Sequence, residues 1–328
     1  MLNRHRFKVL SGIVLSSVVL ISCSKNNNAS LGNNNEAPHK LVIGFQKSNL
    51  NAITLKSEET LLKKHLPNVH IEWKEFPAGP QLLEALSTGS VDLGSVGNTP
   101  PLFAQAGNKD LRYVAYEQSH PKTQAMIIKS NNHHIKTLSD LKGKRIALQR
   151  GSSAHDLLDK ILQKAQLQWS DIQPIWLPPA DARAAFEKQT VDAWVTWEPF
   201  LSVALENNHA KVFTNLQPFG QSYSFIMGNP DFIDKYPQTA QQFIHATNEA
   251  AHWIIKNPEK TLTLYSTAIG LNKDITQKVI NNRFQPSLLK PITPNVIEAQ
   301  QKIADRFAQE KLIPQHIKVE NMVSHVIS

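Results

Sequence analysis

Between residues 40 and 117, short apolar runs alternate with longer segments whose apolar positions recur every three or four residues. The same alternation returns between 125 and 214. In the first stretch KLVIGF (40–45) predicts a strand, 52–65 a helix, and HIEWKEF (70–76) a second strand. GPQLLEALSTG (79–89) predicts a helix with Pro80 in its first turn, and VDLGSVG (91–97) a strand running into a glycine turn. TPPLFAQAG opens a further helix, and RYVAYE and AMIIKS predict two more strands. SDLKGKRIALQ reads as a short helix and then a strand ending at residue 149. GSSAHDLLDKILQKAQ (151–166) places apolar residues at 154, 157, 158, 161 and 162, a helical i, i+3, i+4 face. IQPIWL, PADARAAFEKQ, VDAWVTW and EPFLSVALENN continue the alternation. Beyond about residue 230 the spacing is helical, with strong faces at 238–256, 258–268 and 296–309. Strands alternating with helices predict an α/β fold with open, mostly parallel sheets, and the doubled pattern predicts two lobes. Ligands of such sheets settle outside the carboxyl ends of the strands. The loops there are GFQKSN (44–49), GSVGNTPP (94–101), QRGSSAH (149–155) and PPADARA (178–184).

The N-terminus follows another pattern. MLNRHRFK is basic and VLSGIVLSSVVLI (9–21) is apolar, the layout of a signal peptide over residues 1–22. The apolar run is shorter than the roughly 20 residues that a membrane-spanning helix needs. Leu20, Ile21 and Ser22 before Cys23 look like a bacterial lipobox, in which the cysteine becomes the lipidated first residue. An ordinary secretory leader with an incidental thiol is the alternative. Lipidation is favoured because Cys23 is the one cysteine of the chain and stands where the apolar run ends. Ser24 follows it, not the aspartate that often signals inner-membrane retention. The stretch 23–39 then reads as a polar, flexible tether. The expected location is the bacterial cell envelope, outside the cytoplasm, with the membrane held through Cys23.

Composition narrows the functional classes. With 328 residues, 41% hydrophobic and 19% charged, the chain has material for two cores. Its formal charge of +8 includes Arg4, Arg6 and Lys8 of the leader, and the remainder is spread among acids. No basic stripe with interleaved aromatics marks a nucleic-acid surface. His133-His134 has no H-E-x-x-H or comparable partner set, so no metal is expected.

RGSSAHDLL (150–158) concentrates the candidate chemistry. A serine nucleophile with its base is disfavoured, because residues this close at a helix start point apart and no G-x-S-x-G elbow is present. Ser153-x-x-Asp156 fits a capping box. The same helix start, preceded by Gly151, also fits a seat for an anion, since it offers free amides and a partial positive charge. Thr99-Pro100 after Gly97-Asn98 offers a second such start. Two starts in facing lobes would clamp one small oxyanion, and turn chemistry alone is the plainer reading of each.

The segments IGFQKS, WKEFPAGPQLLEALSTGSVDLGSVGNTPPLFAQAG, LSDLKGKRIALQRGSSAHDLL and DIQPIWLPPADARAAFEKQTVDAWVTWEPF strongly resemble the aliphatic-sulfonate-binding proteins of bacterial ABC importers, from about residue 40 to about 315. The resemblance implies a two-lobed periplasmic-binding-protein fold with two crossovers between lobes and a helical C-terminal region. It implies lobe 1 at 40–122 with 224–328, lobe 2 at 123–223, and hinges near 118–125 and 219–226. It also implies a monomer that closes on an organosulfonate and delivers it to an ABC permease with its ATPase, without a cofactor and without catalysis. Carried over residue by residue, Gln46, Gly97, Asn98 and Thr99 are the ligand contacts of lobe 1, and Ser152, Ser153 and His155 those of lobe 2. Asp181 is either the family's acid or a helix cap. Trp194, ahead of Trp197, is either a wall for the organic tail or core. Glu198 caps the next helix or shapes an amine preference, and Tyr223 is a weaker candidate. Phe45 stands where the family often has Tyr, Val96 where a small hydroxyl residue is usual, and Asn98 where Asp is common; SNLN also lacks an expected glycine. These departures point to a ligand more apolar and larger than taurine. Taurine, nitrate or a thiamine precursor are the alternatives on the same fold. A desulfinase is disfavoured, because such enzymes use a cysteine nucleophile and the folded part contains none.

Overall fold

The structure, a computed structural model, describes residues 37–206 and 209–326. The expected signal peptide, the proposed lipidation at Cys23 and most of the tether lie outside the described residues. Ten strands form in chain order: β1 (Lys40–Phe45), β2 (His70–Glu75), β3 (Leu93–Gly97), β4 (Arg112–Gln118) and β5 (Gln124–Lys129). They continue as β6 (Arg145–Leu148), β7 (Gln173–Trp176), β8 (Ala193–Trp197), β9 (Ala210–Asn215) and β10 (Tyr223–Gly228). One sheet has the order β2-β1-β3-β10-β4 and the other β7-β6-β8-β5-β9.

Each sheet carries one strand that arrives from the other lobe, β10 in the first and β5 in the second. That strand runs antiparallel to both of its neighbours, while the pairs β1–β2, β1–β3, β6–β7 and β6–β8 are parallel. A strand that enters from the opposite side must run the opposite way, so the sheets are mixed. The crossings lie between Gln118 and Gln124 and between Asn215 and Tyr223, side by side, with the Ser119 amide donating to the Ser222 carbonyl at 2.9 Å.

Twelve helices are described. Those of the first alternation are α1 (Leu50–Ser57), α2 (Glu59–Lys63), α3 (Gly79–Ser87) and α4 (Thr99–Ala106), and those of the second α5 (Ser153–Ala165), α6 (Pro179–Glu187) and α7 (Phe200–Ala204). The C-terminal set is α8 (Pro230–Lys235), α9 (Pro237–Lys256), α10 (Pro258–Ile269), α11 (Lys273–Asn281) and α12 (Pro294–Gln309). Seven of these twelve carry proline in the first turn, where its missing N–H costs nothing, so their starts are legible in the sequence. The helix expected over 52–65 is two helices, broken at Glu58, whose φ of −105° and ψ of 65° leave the helical region.

A repeated Val-Asp pair ties the sheets in the same way. The Asp92 carboxylate accepts the Val42 amide at 2.7 Å, joining the approach to β3 onto β1, and Asp192 accepts the Arg145 amide at 2.8 Å, joining the approach to β8 onto β6. Pro174, which has no donor, sits in β7 at a sheet edge, where the ladder does not need one. Val42, Leu82, Val96, Leu102, Phe225 and the α12 residues Ile303, Ala304 and Phe307 share one core of the first lobe. Ile146, Leu148 and Val195 pack with Leu157, Leu158, Ile161 and Leu162 of α5 in the second. No helix among the described residues is long and apolar enough to cross a membrane.

Candidate functional site

The carboxyl ends of β1 and β3, the crossing strands and the start of α5 surround a cleft between the lobes, where small-molecule sites of such sheets are found. Gln46, Ser95, Val96, Gly97 and Pro100 line it from the first lobe, and Ser152, Ser153, Trp197 and Glu198 from the second. The crossings and the strand ends beside them supply Glu117, Ser119, His120, Thr123, Gln124 and Ser224, and the segment after α11 supplies Arg283, Phe284 and Ser287. The lining is dominated by hydroxyl and amide groups, with apolar faces at Trp197, Phe284, Val96 and Pro100.

The lobes touch across this cavity. A β-carbon placed on Gly97 would stand 3.0 Å from the Ser153 Cβ and 3.2 Å from its Oγ. The absence of a side chain at Gly97 is what lets the two elements meet. Gln46 is held by its own donor, Nε2 bonding the Ser95 carbonyl at 3.0 Å. At α5, Ser152 is the N-cap residue without a side-chain cap bond, and its hydroxyl donates back to the Gln149 carbonyl at 2.8 Å. The first amides of α5 have no partner within the helix, as at any helix start.

The expected capping box from Ser153 to Asp156 does not form. Asp156 turns sideways, where Oδ1 accepts from Arg306 Nη2 at 2.7 Å and Oδ2 from Asn98 Nδ2 at 2.8 Å and Lys160 Nζ at 2.7 Å. Charge-assisted bonds to two cations are stronger than one bond to a neutral amide, which explains the choice. It removes a carboxylate from the seat and leaves the helix start to the cavity.

Several sequence candidates are placed elsewhere. Asn98 and Thr99 are buried and do not line the cavity; the Asn98 side chain is committed to Asp156, and the Thr99 hydroxyl donates to Asn98 Oδ1 at 3.1 Å. Asp181 is exposed in the first turn of α6, inside the helix and not at its cap, which is Pro178. Trp194 is 1% exposed and packs on Phe186 in the second lobe's core. Strand alternation puts Trp194 and Trp197 on opposite faces, and it is Trp197, at the strand's carboxyl end, that reaches the cavity. Tyr223 does not line it; its hydroxyl donates to Gln221 Oε1 at 2.7 Å. Phe45 is buried against Trp73, away from the site, so its missing hydroxyl says nothing about the ligand.

Glu198 does line the cavity, and also caps α7. Its carboxylate accepts the Ser202 amide at 3.1 Å, the Ser202 hydroxyl at 2.8 Å and Asn282 Nδ2 at 2.8 Å. Burial holds its carboxyl above the usual range despite these bonds. Glu117 accepts from the Ser287 hydroxyl at 2.5 Å, and Arg283 donates to the Ser48 carbonyl at 2.6 Å. Neither was legible beforehand: Arg283 sits in a polar turn between helices with no periodic signal, and Glu117 in a strand that reads only as a crossing.

His155 lies in the first turn of α5, 1% exposed and outside the cavity. Its Nδ1 accepts the Gly151 amide at 3.3 Å, and the ring packs among Phe103, Trp169, Trp176 and Phe307 at centroid distances of 5.4, 4.9, 5.0 and 5.1 Å. Burial, and secondarily the Arg150 charge, lowers its pKa from 6.5 to about 3. Between those values the unfolded chain holds a proton that the fold refuses, so stability falls as pH drops below about 6.5. The expected slope from this residue is about 1.4 kcal/mol per pH unit. His120, also lowered by burial, adds in the same direction. Urea unfolding between pH 7 and pH 5 should show this loss, reduced by most of that slope in His155→Phe; an equal slope in both proteins would contradict it.

Among the described residues no group of three or more His, Cys, Asp or Glu side chains is placed to hold a metal. The site can surround an anion with neutral dipoles and one guanidinium, and can cover an organic tail with rings.

Residues 68–261 match the NMT1/THI5 like family. The solved alkanesulfonate-binding protein SsuA of Xanthomonas axonopodis pv. citri, bound to MOPS, is 37% identical with a TM-score of 0.84, covering 88% of this chain and 99% of its own. The periplasmic aliphatic sulphonate binding protein SsuA of Escherichia coli is 38% identical with a TM-score of 0.81, covering 87% and 97%. A taurine-binding periplasmic protein of Escherichia coli (strain K12) is 24% identical over 223 residues, 67% of this chain and 68% of its own.

Proposed function

The chain belongs to the NMT1/THI5-like family and, within it, to the aliphatic-sulfonate-binding proteins of bacterial ABC importers, which bind and do not catalyse; on that premise we propose that it captures an organosulfonate between its lobes for uptake. The observation that carries this reading is the meeting of Gly97 with Ser153 across a cavity lined by hydroxyls, amides and the start of α5, with Asp156 turned out of it. A sulfonate stays ionised at biological pH, so it is recognised by dipoles and hydrogen-bond donors and not by titration. Burying it unpaired would be costly; the free amides of the α5 start, Ser153 and Arg283 offset that cost, while Ser152, held on the Gln149 carbonyl, shapes the helix start and Gln46 frames the first-lobe side. Trp197 and Phe284 cover the tail, which contributes roughly 25 cal/mol per Å2 removed from water.

The two crossings act as the hinge, between a lobe of residues 40–122 with 224–328 and a lobe of residues 123–223. Closure excludes water, and the closed form is the one a permease with its ATPase accepts. The protein works as a monomer outside the cytoplasm, tethered through a lipid on Cys23.

A second reading concerns the ligand's far end. Two carboxylates, Glu117 and Glu198, share the lining with Arg283, which favours a sulfonate bearing an amine over the ligand more apolar than taurine that the sequence suggested. A thermal-shift panel of pentanesulfonate, taurine, MOPS, an aromatic sulfonate, sulfate and nitrate tests both. A ligand at 100 times its Kd is expected to add about 2.7 kcal/mol of stability. Shifts with sulfate or nitrate and none with any organosulfonate would remove the ligand class, and pentanesulfonate outranking taurine and MOPS would remove the amine preference.

A further inference from the structure

Outside the cavity, the lobes meet a second time along one side of α5. Arg306 belongs to α12, whose Ile303, Ala304 and Phe307 are core of the first lobe, whereas α5 is core of the second. The guanidinium nonetheless bonds two α5 carboxylates, Nη2 to Asp156 Oδ1 at 2.7 Å and Nε to Asp159 Oδ2. The two acids are 1% and 2% exposed and the arginine 17%. Both acids have further partners. Asn98, from the loop before α4, donates to Asp156, and its own carbonyl accepts from Gln300 of α12. Lys160 completes Asp156, and Trp169 Nε1 donates to Asp159 Oδ1 at 2.9 Å. Phe103 and Phe307 of the first lobe close the seam against His155 of the second. Two carboxylates, one guanidinium and one ammonium make a set with no net charge.

We infer that Arg306 is a positioning residue for ligand capture: by meeting Asp156 and Asp159 across the lobe boundary it sets the one register in which the lobes close. The inference rests on the clamshell reading above. Buried ion pairs contribute little net stability, because both charges surrender their water, and their best-attested role is to specify register. In any other closed arrangement the two carboxylates of α5 would keep only Lys160 on Asp156 and the Trp169 N–H on Asp159, one cation for two acids. Asp156 stands one helical turn beyond Ser153, so the contact that fixes Asp156 also fixes the start of α5 against Gly97.

The test uses the full chain with MOPS and pentanesulfonate as probes, stopped-flow binding kinetics and small-angle scattering with and without probe. Arg306→Met is expected to raise the probe's dissociation rate roughly thirtyfold or more, with association changed far less. Its probe-bound radius of gyration should stay larger than that of the wild type. Asp159→Asn, made from the other lobe and able to keep the Trp169 bond, guards against a variant that does not fold and should move both readouts in the same direction. The double variant should lose less than the two single losses combined, as expected for partners in one contact. Unchanged dissociation and unchanged radii in both single variants overturn the inference. Failure of the wild type to bind either probe overturns the ligand class instead; the latch then rests on the ligand-free radii, where equality among the three proteins overturns it.

Discussion

Replacing Gly97 by Val is expected to weaken sulfonate capture by roughly a hundredfold, about 3 kcal/mol at the upper end of what overpacking costs, while the ligand-free protein keeps its stability. Gly97 ends β3 and pairs with Ser224 of β10, a setting in which a β-branched residue is locally acceptable. The conflict is across the cavity. Even a single β-carbon would stand 3.0 Å from the Ser153 Cβ, and the branches of valine add further atoms. The lobes relieve that clash by staying apart, which separates the seat on α5 from the donors of the first sheet. Gly97→Ala should show a smaller effect, because 3.0–3.2 Å requires the neighbour to yield only a few tenths of an ångström. Calorimetric titration beside a thermal melt checks this. Retained affinity in Gly97→Val would mean that Gly97 and Ser153 need not meet for binding.

Trp194→Ala should instead cost about 3–5 kcal/mol of stability, the range for deleting a large buried aromatic. Trp194 is among the largest fully buried side chains, packed with Phe186, Ala125, Ile127, Ala147 and Ala182. It does not line the cavity, so the protein that remains folded at low temperature should bind its ligand nearly as before. Trp197→Ala should do the reverse, with a modest loss of stability and a clear loss of affinity for long-tailed sulfonates. Urea unfolding and titration of both variants separate the roles. A stable Trp194→Ala protein that has lost its ligand would reverse the assignment.

The pair also shows how far the sequence reading reached. Alternation of strand and helix, its doubling, and the helical C-terminal third were legible because burial repeats with the period of each element. Proline in the first turn marked most helix starts. The loops GSVGNTPP and QRGSSAH were found because ligands of such sheets sit at strand ends, and Gly97, Ser152 and Ser153 do face one cavity. What the pattern does not carry is the direction of a side chain at a given moment of the fold. Trp194 and Trp197 look alike in VDAWVTW, and only the sheet decides which is inside. Asp156 looks like half of a capping box until Arg306, 150 residues away, competes for it. Asn98 and His155 are ligand contacts by the family resemblance alone; in the fold Asn98 bonds Asp156, His155 packs among four rings, and neither lines the cavity. Arg283 and Glu117 entered the lining through tertiary placement alone.

The placement of β10 between β3 and β4 has a consequence for how the chain is made. At the edge of its sheet, β4 has β10 as its one strand neighbour. As the polypeptide leaves the ribosome, β4 must wait for the whole second sheet to be synthesised before its ladder exists. Nascent chains stopped short of Tyr223 therefore hold an unfinished first lobe, sensitive to protease, beside a second lobe whose five strands are already complete.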